Sequence, residues 1–107
     1  MTPEGKLKNK VKALLKQHKV YYFMPVQTGY GSPGLDFHCA HKTRAFAVET
    51  KYNKPLSARQ VMTRRDMEEA GMRVFVVGEE IKKDNNFRDY QYSGWVELEA
   101  WLLELTS

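Results

Sequence analysis

Carboxylates are scarce in the first 65 residues of this 107-residue chain. Glu4, Asp36 and Glu49 stand there against thirteen Lys or Arg, whereas residues 66–107 hold ten carboxylates and four Lys or Arg. The two parts carry +10 and −6, within a net charge of +4. Cysteine is nearly absent too. Cys39 stands alone, which excludes an internal disulfide and fits a reducing, cytoplasmic setting. No apolar run approaches the roughly 20 residues of a membrane span. The Lys-rich N-terminus lacks the apolar segment of a secretory signal, so neither membrane insertion nor secretion is expected. Repeats and low-complexity tracts are missing as well. What is present is globular: 42% hydrophobic residues, with two Trp, six Tyr and five Phe, enough for one domain over residues 1–107 with a modest core.

Local signals divide the chain into helices and strands. Thr2-Pro3 reads as an N-cap with Pro at the first helical position, opening a helix that runs to about His18. Leu7, Val11, Leu14 and Leu15 form its apolar stripe, with Glu4 on the inward side and lysines around it. Residues 20–26 read as a strand and residues 28–34 as a loop rich in small residues. Alternation over residues 35–40 puts Leu35, Phe37 and Cys39 on one face and Asp36 and His38 on the other. After a polar turn, residues 45–51 form the hairpin partner, with Ala45, Ala47, Glu49 and Lys51 sharing a face. Ser57 and Gln60 have capping-box spacing and Leu56 and Val61 staple spacing, so a helix begins at Ser57. It ends at Gly71. Residues 73–77 read as a buried strand and residues 79–94 as a long loop with room for one short strand. Residues 95–105 read as a last helix, with Trp95 and Trp101 in the core.

The scarce acids sit where chemistry is possible. A normal hairpin register brings Asp36 and Glu49 together on adjacent strands. Hard oxygen ligands of this kind suit Mg²⁺ or Mn²⁺, and the backbone carbonyl of Thr50 can add another. A cation held there polarises a phosphate and acidifies a bound water. Lys51, two residues from Glu49, can orient that water or neutralise charge on the phosphate. Carboxylates inside a cationic surface suit an enzyme whose substrate is a polyanion. The plainer alternative is a turn aspartate and an exposed cross-strand ion pair. Gln60 likewise has a structural reading, as the partner of Ser57 in a capping box. His38, Cys39 and His41 lack zinc spacing and read as two surface histidines and a buried cysteine.

These motifs resemble the virus-type replication-repair nuclease domain (VRR-NUC) of the PD-(D/E)XK nuclease superfamily. The resemblance rests on an early helical Glu4, on Gly31-Ser32-Pro33-Gly34-Leu35-Asp36 and on Phe46-Ala47-Val48-Glu49-Thr50-Lys51. Leu56-Ser57-Ala58-Arg59-Gln60, Ala70-Gly71 and Val74-Phe75-Val76-Val77 follow in order. Leu35 departs from the motif, which usually has Pro there. The resemblance implies a restriction-endonuclease-like mixed sheet flanked by helices, in the order α-β-β-β-α-β plus a C-terminal helix. It implies Asp36, Glu49, Lys51 and Gln60 as catalytic residues, with Glu4 assisting Asp36 and Glu49 in holding Mg²⁺, for which Mn²⁺ substitutes. It further implies a viral or bacterial DNA endonuclease, acting in the host cytoplasm if viral. Its small members resemble Holliday-junction resolvases, so branched DNA and a homodimer are expected.

The DNA contacts expected are Lys6, Lys10, Lys54, Arg59 and Arg64 on phosphates, Ser32 in the small-residue loop, and Tyr30 stacking on a base. Two other classes fit the charge pattern. One is a basic DNA-binding module without catalysis. The other is an assembly protein whose acidic part docks a basic partner, which requires the acids of residues 66–107 to form one patch.

Overall fold

The computed structural model describes residues 2–25, 34–52, 56–83 and 89–106. Eight elements follow one another: α1 (Pro3–Gln17), β1 (Tyr21–Phe23), β2 (Phe37–His41), β3 (Arg44–Lys51), α2 (Ala58–Glu69), β4 (Arg73–Lys83), β5 (Asp89–Ser93) and α3 (Trp95–Thr106). The strands make one mixed sheet in the order β1-β2-β3-β4-β5. Among the described strands only β3 and β4 run parallel, because α2 carries the chain back between them. Among the described residues no helix is long and apolar enough to cross a membrane.

Helix boundaries follow local chemistry. Thr2 Oγ1 accepts from Gly5 N–H at 3.0 Å, and Pro stands at the start of α1. At the other end Lys19 takes φ 57°, and Val20 N–H reaches back to the Leu15 carbonyl. This left-handed cap turns the chain into β1 and packs Val20 near Leu15. Gly71, at φ 99°, does the same after α2.

The core is uneven. Leu7, Val11 and Leu15 of α1 and Leu98 and Leu102 of α3 pack on Phe37, Cys39, Phe46, Val48, Phe75 and Val77 of the sheet. Phe46 meets Phe75 and Trp101 edge-on. Among the described residues the cluster on the other face is small: Leu35, Ala47 and Val74, with Met67 and Met72 from α2 and its exit turn. Toward the sheet α2 presents Gln60, Thr63 and Met67, while Val61 and Met62 face solvent. Its inner surface is thus polar near its N-terminus and apolar near its C-terminus. That arrangement leaves polar groups at the end of β3 where Glu49 and Lys51 lie.

Several sequence expectations need correction. The segment expected as a long loop with room for one short strand holds such a strand in β5, but its first residues extend β4 to Lys83, and β5 pairs antiparallel with β4 after a register shift between Val77 and Ile81. The element order therefore ends in two strands and a helix. A polar strand at a sheet edge has little apolar periodicity to announce it. Leu35 does not share a face with Phe37 and Cys39. The chain bends at Asp36, and Leu35 packs on the α2 side. Val61 is 45% exposed, so the staple spacing does not bury it. His41 is buried and His38 half-buried, so neither is a surface histidine. The expected loop tip with Tyr30 and Ser32, and Lys54, lie outside the described residues.

Candidate active site

Asp36 stands just before β2 begins. The β2–β3 ladder runs from His41↔Arg44 to Phe37↔Val48, and the next step would pair Asp36 with Glu49. Side chains replace the ladder there. Asp36 N–H donates to Glu49 Oε1 at 3.1 Å. Asp36 Oδ2 accepts from Thr50 N–H at 3.0 Å and from the Thr50 hydroxyl at 2.5 Å. The two acids expected to meet therefore do meet: Glu49 accepts from the Asp36 backbone, and Asp36 accepts from Thr50, the residue after Glu49.

The turn before Asp36 is tied down by His38. Leu35 N–H donates to His38 Nε2 at 3.2 Å. A Cβ on Gly34 would lie 2.9 Å from that nitrogen, so glycine permits the close approach. The bond also requires an N–H at position 35, which proline does not have. Nε2 accepts only in the neutral imidazole, and burial lowers the His38 pKa. His38 serves the turn here rather than a substrate.

Glu49 is the most buried acid of the site, at 2% exposure. Burial first, then the neighbouring charge of Asp36 and a hydrogen bond with its side chain, push its pKa from an ordinary 4.5 to about 8; the Lys51 charge acts in the opposite direction. Two carboxyl groups share one desolvated place, and the first to ionise disfavours the second.

Gln60 forms the capping box and also reaches Glu49. Its Oε1 accepts from Ser57 N–H at 2.9 Å and its N–H donates to Ser57 Oγ at 3.1 Å, which completes the capping box. Its Nε2 meanwhile donates to Glu49 Oε2 at 2.5 Å. The amide is oriented by the cap at one end and holds the carboxyl at the other. Gly34, Asp36, Glu49, Ser57, Arg59, Gln60 and Thr63 line a cavity of about 220 Å³.

Thr50 and Thr63 were not expected as site side chains; Thr50 is fully buried and Thr63 bonds the Arg59 carbonyl at 2.9 Å. Lys8 was also missed. Its Nζ lies 3.7 Å from Asp36 Oδ1. A lysine four residues after Glu4 and next to Leu7 lies on the edge of the buried stripe, which is the signal that was available. Glu4 itself is half-buried. Among the described residues no three His, Cys, Asp or Glu side chains converge on one cation position, so Glu4 does not complete a three-acid cluster.

Two carboxylates still fit a cation such as Mg²⁺, which keeps several waters and takes one or two protein carboxylates. The donor set is hard oxygen, and the pair holds two acids together at high cost to the ionisation of Glu49. The Thr50 N–H points to Asp36, and a strand residue's carbonyl leaves the same edge as its N–H. These groups suit the expected ion.

The expected phosphate contacts separate. Arg59 is exposed and lines the cavity. Lys6 is exposed on α1. Lys10 lies over the Trp95 ring at 5.0 Å, on the α3 side of the sheet. Arg64 pairs with Glu68 at 3.4 Å. Among the described residues the acids of the C-terminal part do not form one patch: Asp66, Glu68 and Glu69 belong to α2, and Glu97, Glu99 and Glu104 to α3, on opposite faces of the sheet.

Comparison of the chain with protein-family models, curated proteins and solved structures finds no match.

Proposed function

We propose that this protein is a divalent-metal-dependent DNA endonuclease with a restriction-endonuclease-like core of the VRR-NUC kind. The observation that carries the reading is the cross-linked pair of Asp36 and Glu49 at the end of β3. The field of Lys51 beside it acts on Glu49, and the surrounding sequence is strongly cationic. Asp36 and Glu49, with the Thr50 carbonyl, hold Mg²⁺ or Mn²⁺. When bound, such an ion polarises a phosphodiester and acidifies a coordinated water.

The protein's own groups do the rest. Gln60 keeps the Glu49 carboxyl aimed into the cavity, so its geometry is set before substrate arrives. Arg59 at the cavity rim pairs with a phosphate. Lys51 orients the attacking water and offsets negative charge growing on the phosphoryl oxygens. Water adds to phosphorus in line with the departing sugar oxygen, the P–O bond to that oxygen breaks, and a proton reaches the leaving group. Exposed Lys6 adds to nonspecific affinity.

Branched DNA is the proposed substrate, cut in the cytoplasm by a homodimer whose two sites act on two strands. A cleavage assay with Mg²⁺ on linear, flapped and four-way DNA tests this directly. The expected result is cleavage favouring the branched forms, and loss of cleavage in Lys51→Ala with DNA affinity retained. Salt-sensitive binding without any cleavage would instead identify a DNA-binding module.

A further inference from the structure

The four oxygens of the acid pair are not equivalent. Asp36 Oδ2 takes two hydrogen bonds from Thr50, Glu49 Oε1 takes the Asp36 N–H, and Glu49 Oε2 takes the Gln60 amide. Each of these donors is neutral. Asp36 Oδ1 faces a charge instead, the Lys8 ammonium at 3.7 Å. The Lys8 side chain is about one-third exposed and that of Asp36 less so. Leu7 and Val11, fully buried on either side along α1, fix where the lysine starts.

We propose that Lys8 is a tethered counter-ion for Asp36 Oδ1 and competes with a divalent cation for that oxygen. The inference rests on the reading that Asp36 and Glu49 bind such a cation. A contact of 3.7 Å is an ion pair without a short hydrogen bond, and a lysine stem is flexible, so the ammonium can leave. A cation bound to Oδ1 sits at about 2.1 Å, where it repels an ammonium kept on the same oxygen. Lys8 then swings outward, where the next anion it can meet is a phosphate of bound DNA. Its role is to keep the pair neutralised while no cation is present, and to surrender the oxygen when one enters.

Calorimetric titration of the whole protein with MnCl₂, without DNA, tests this. Lys8→Met and Lys8→Gln should each tighten Mn²⁺ binding by about two- to fivefold, the scale of an exposed ion pair. Lys8→Arg should restore wild-type affinity. Lys6→Met, which removes the same charge from the same helix, should change it less than twofold. Asp36→Asn should abolish binding. Unchanged or weaker Mn²⁺ binding in both neutral Lys8 variants, beside normal wild-type binding, would overturn the counter-ion role and leave the metal site standing. Equal tightening by Lys6→Met would overturn it in favour of a general field. Absence of Mn²⁺ binding in the wild type would overturn both.

Discussion

Raising the pH in the absence of divalent cations should destabilise this protein through one side chain, Glu49. Its carboxyl keeps a proton to about pH 8 in the folded chain, against an ordinary 4.5. Between those values the folded state binds more protons than the unfolded state, so stability falls as pH rises. The contribution is fully present below 4.5 and lost by the time the pH passes 8. The slope is about 1.4 kcal/mol per pH unit for one such group. At pH 7 the accumulated loss is on the order of 3 kcal/mol, a large part of the stability of a small domain. Urea unfolding followed by circular dichroism, from pH 5 to 8, measures it. Glu49→Gln keeps the size of the side chain and cannot ionise. The other titrating groups are common to both proteins, so the difference between the two slopes belongs to Glu49. The wild type should lose stability more steeply than the variant by about one proton's worth. Parallel pH profiles would refute the raised pKa, and with it the picture of two acids forced into one desolvated place.

Three further outcomes are expected. Lys42 and Thr43 join β2 and β3 with φ 51° and 66°, a turn that disfavours a β-branched residue, so Thr43→Gly should stabilise by about 1 kcal/mol in a urea or thermal unfolding curve. Phe46 is fully buried against Phe75 and Trp101, and Phe46→Ala should cost roughly 3–5 kcal/mol by the same measurement. His38→Ala removes the acceptor of Leu35 N–H and should cost about 1–2 kcal/mol, with slower cleavage as the Asp36 turn loosens.

How much of this was legible depended on whether the signal was local. The capping box at Ser57 and Gln60 is a spacing of three, and the structure forms it. The meeting of Asp36 and Glu49 followed from strand parity and a tight hairpin, and the register delivers it. Parity failed one residue earlier, because the bend at Asp36 turns Leu35 to the α2 face. A bend held by a histidine three residues away leaves no periodic trace. The β4–β5 hairpin was hidden because its residues are polar on an edge. The capping spacing of Gln60 gave no sign that its amide also reaches Glu49, which it does because an amide has a donor end and an acceptor end. Lys8 was obscured by its abundance: one lysine among several on α1 differs only in where the helix packs.

The proposed function depends on Asp36 and Glu49 acting together in Mg²⁺-dependent hydrolysis of DNA. Cleavage by Glu49→Ala, measured beside its DNA binding, tests it most directly. The account predicts that cleavage disappears while binding persists, and that a chelator stops the wild type. Full cleavage by the variant, or wild-type cleavage unchanged in chelator, would contradict it.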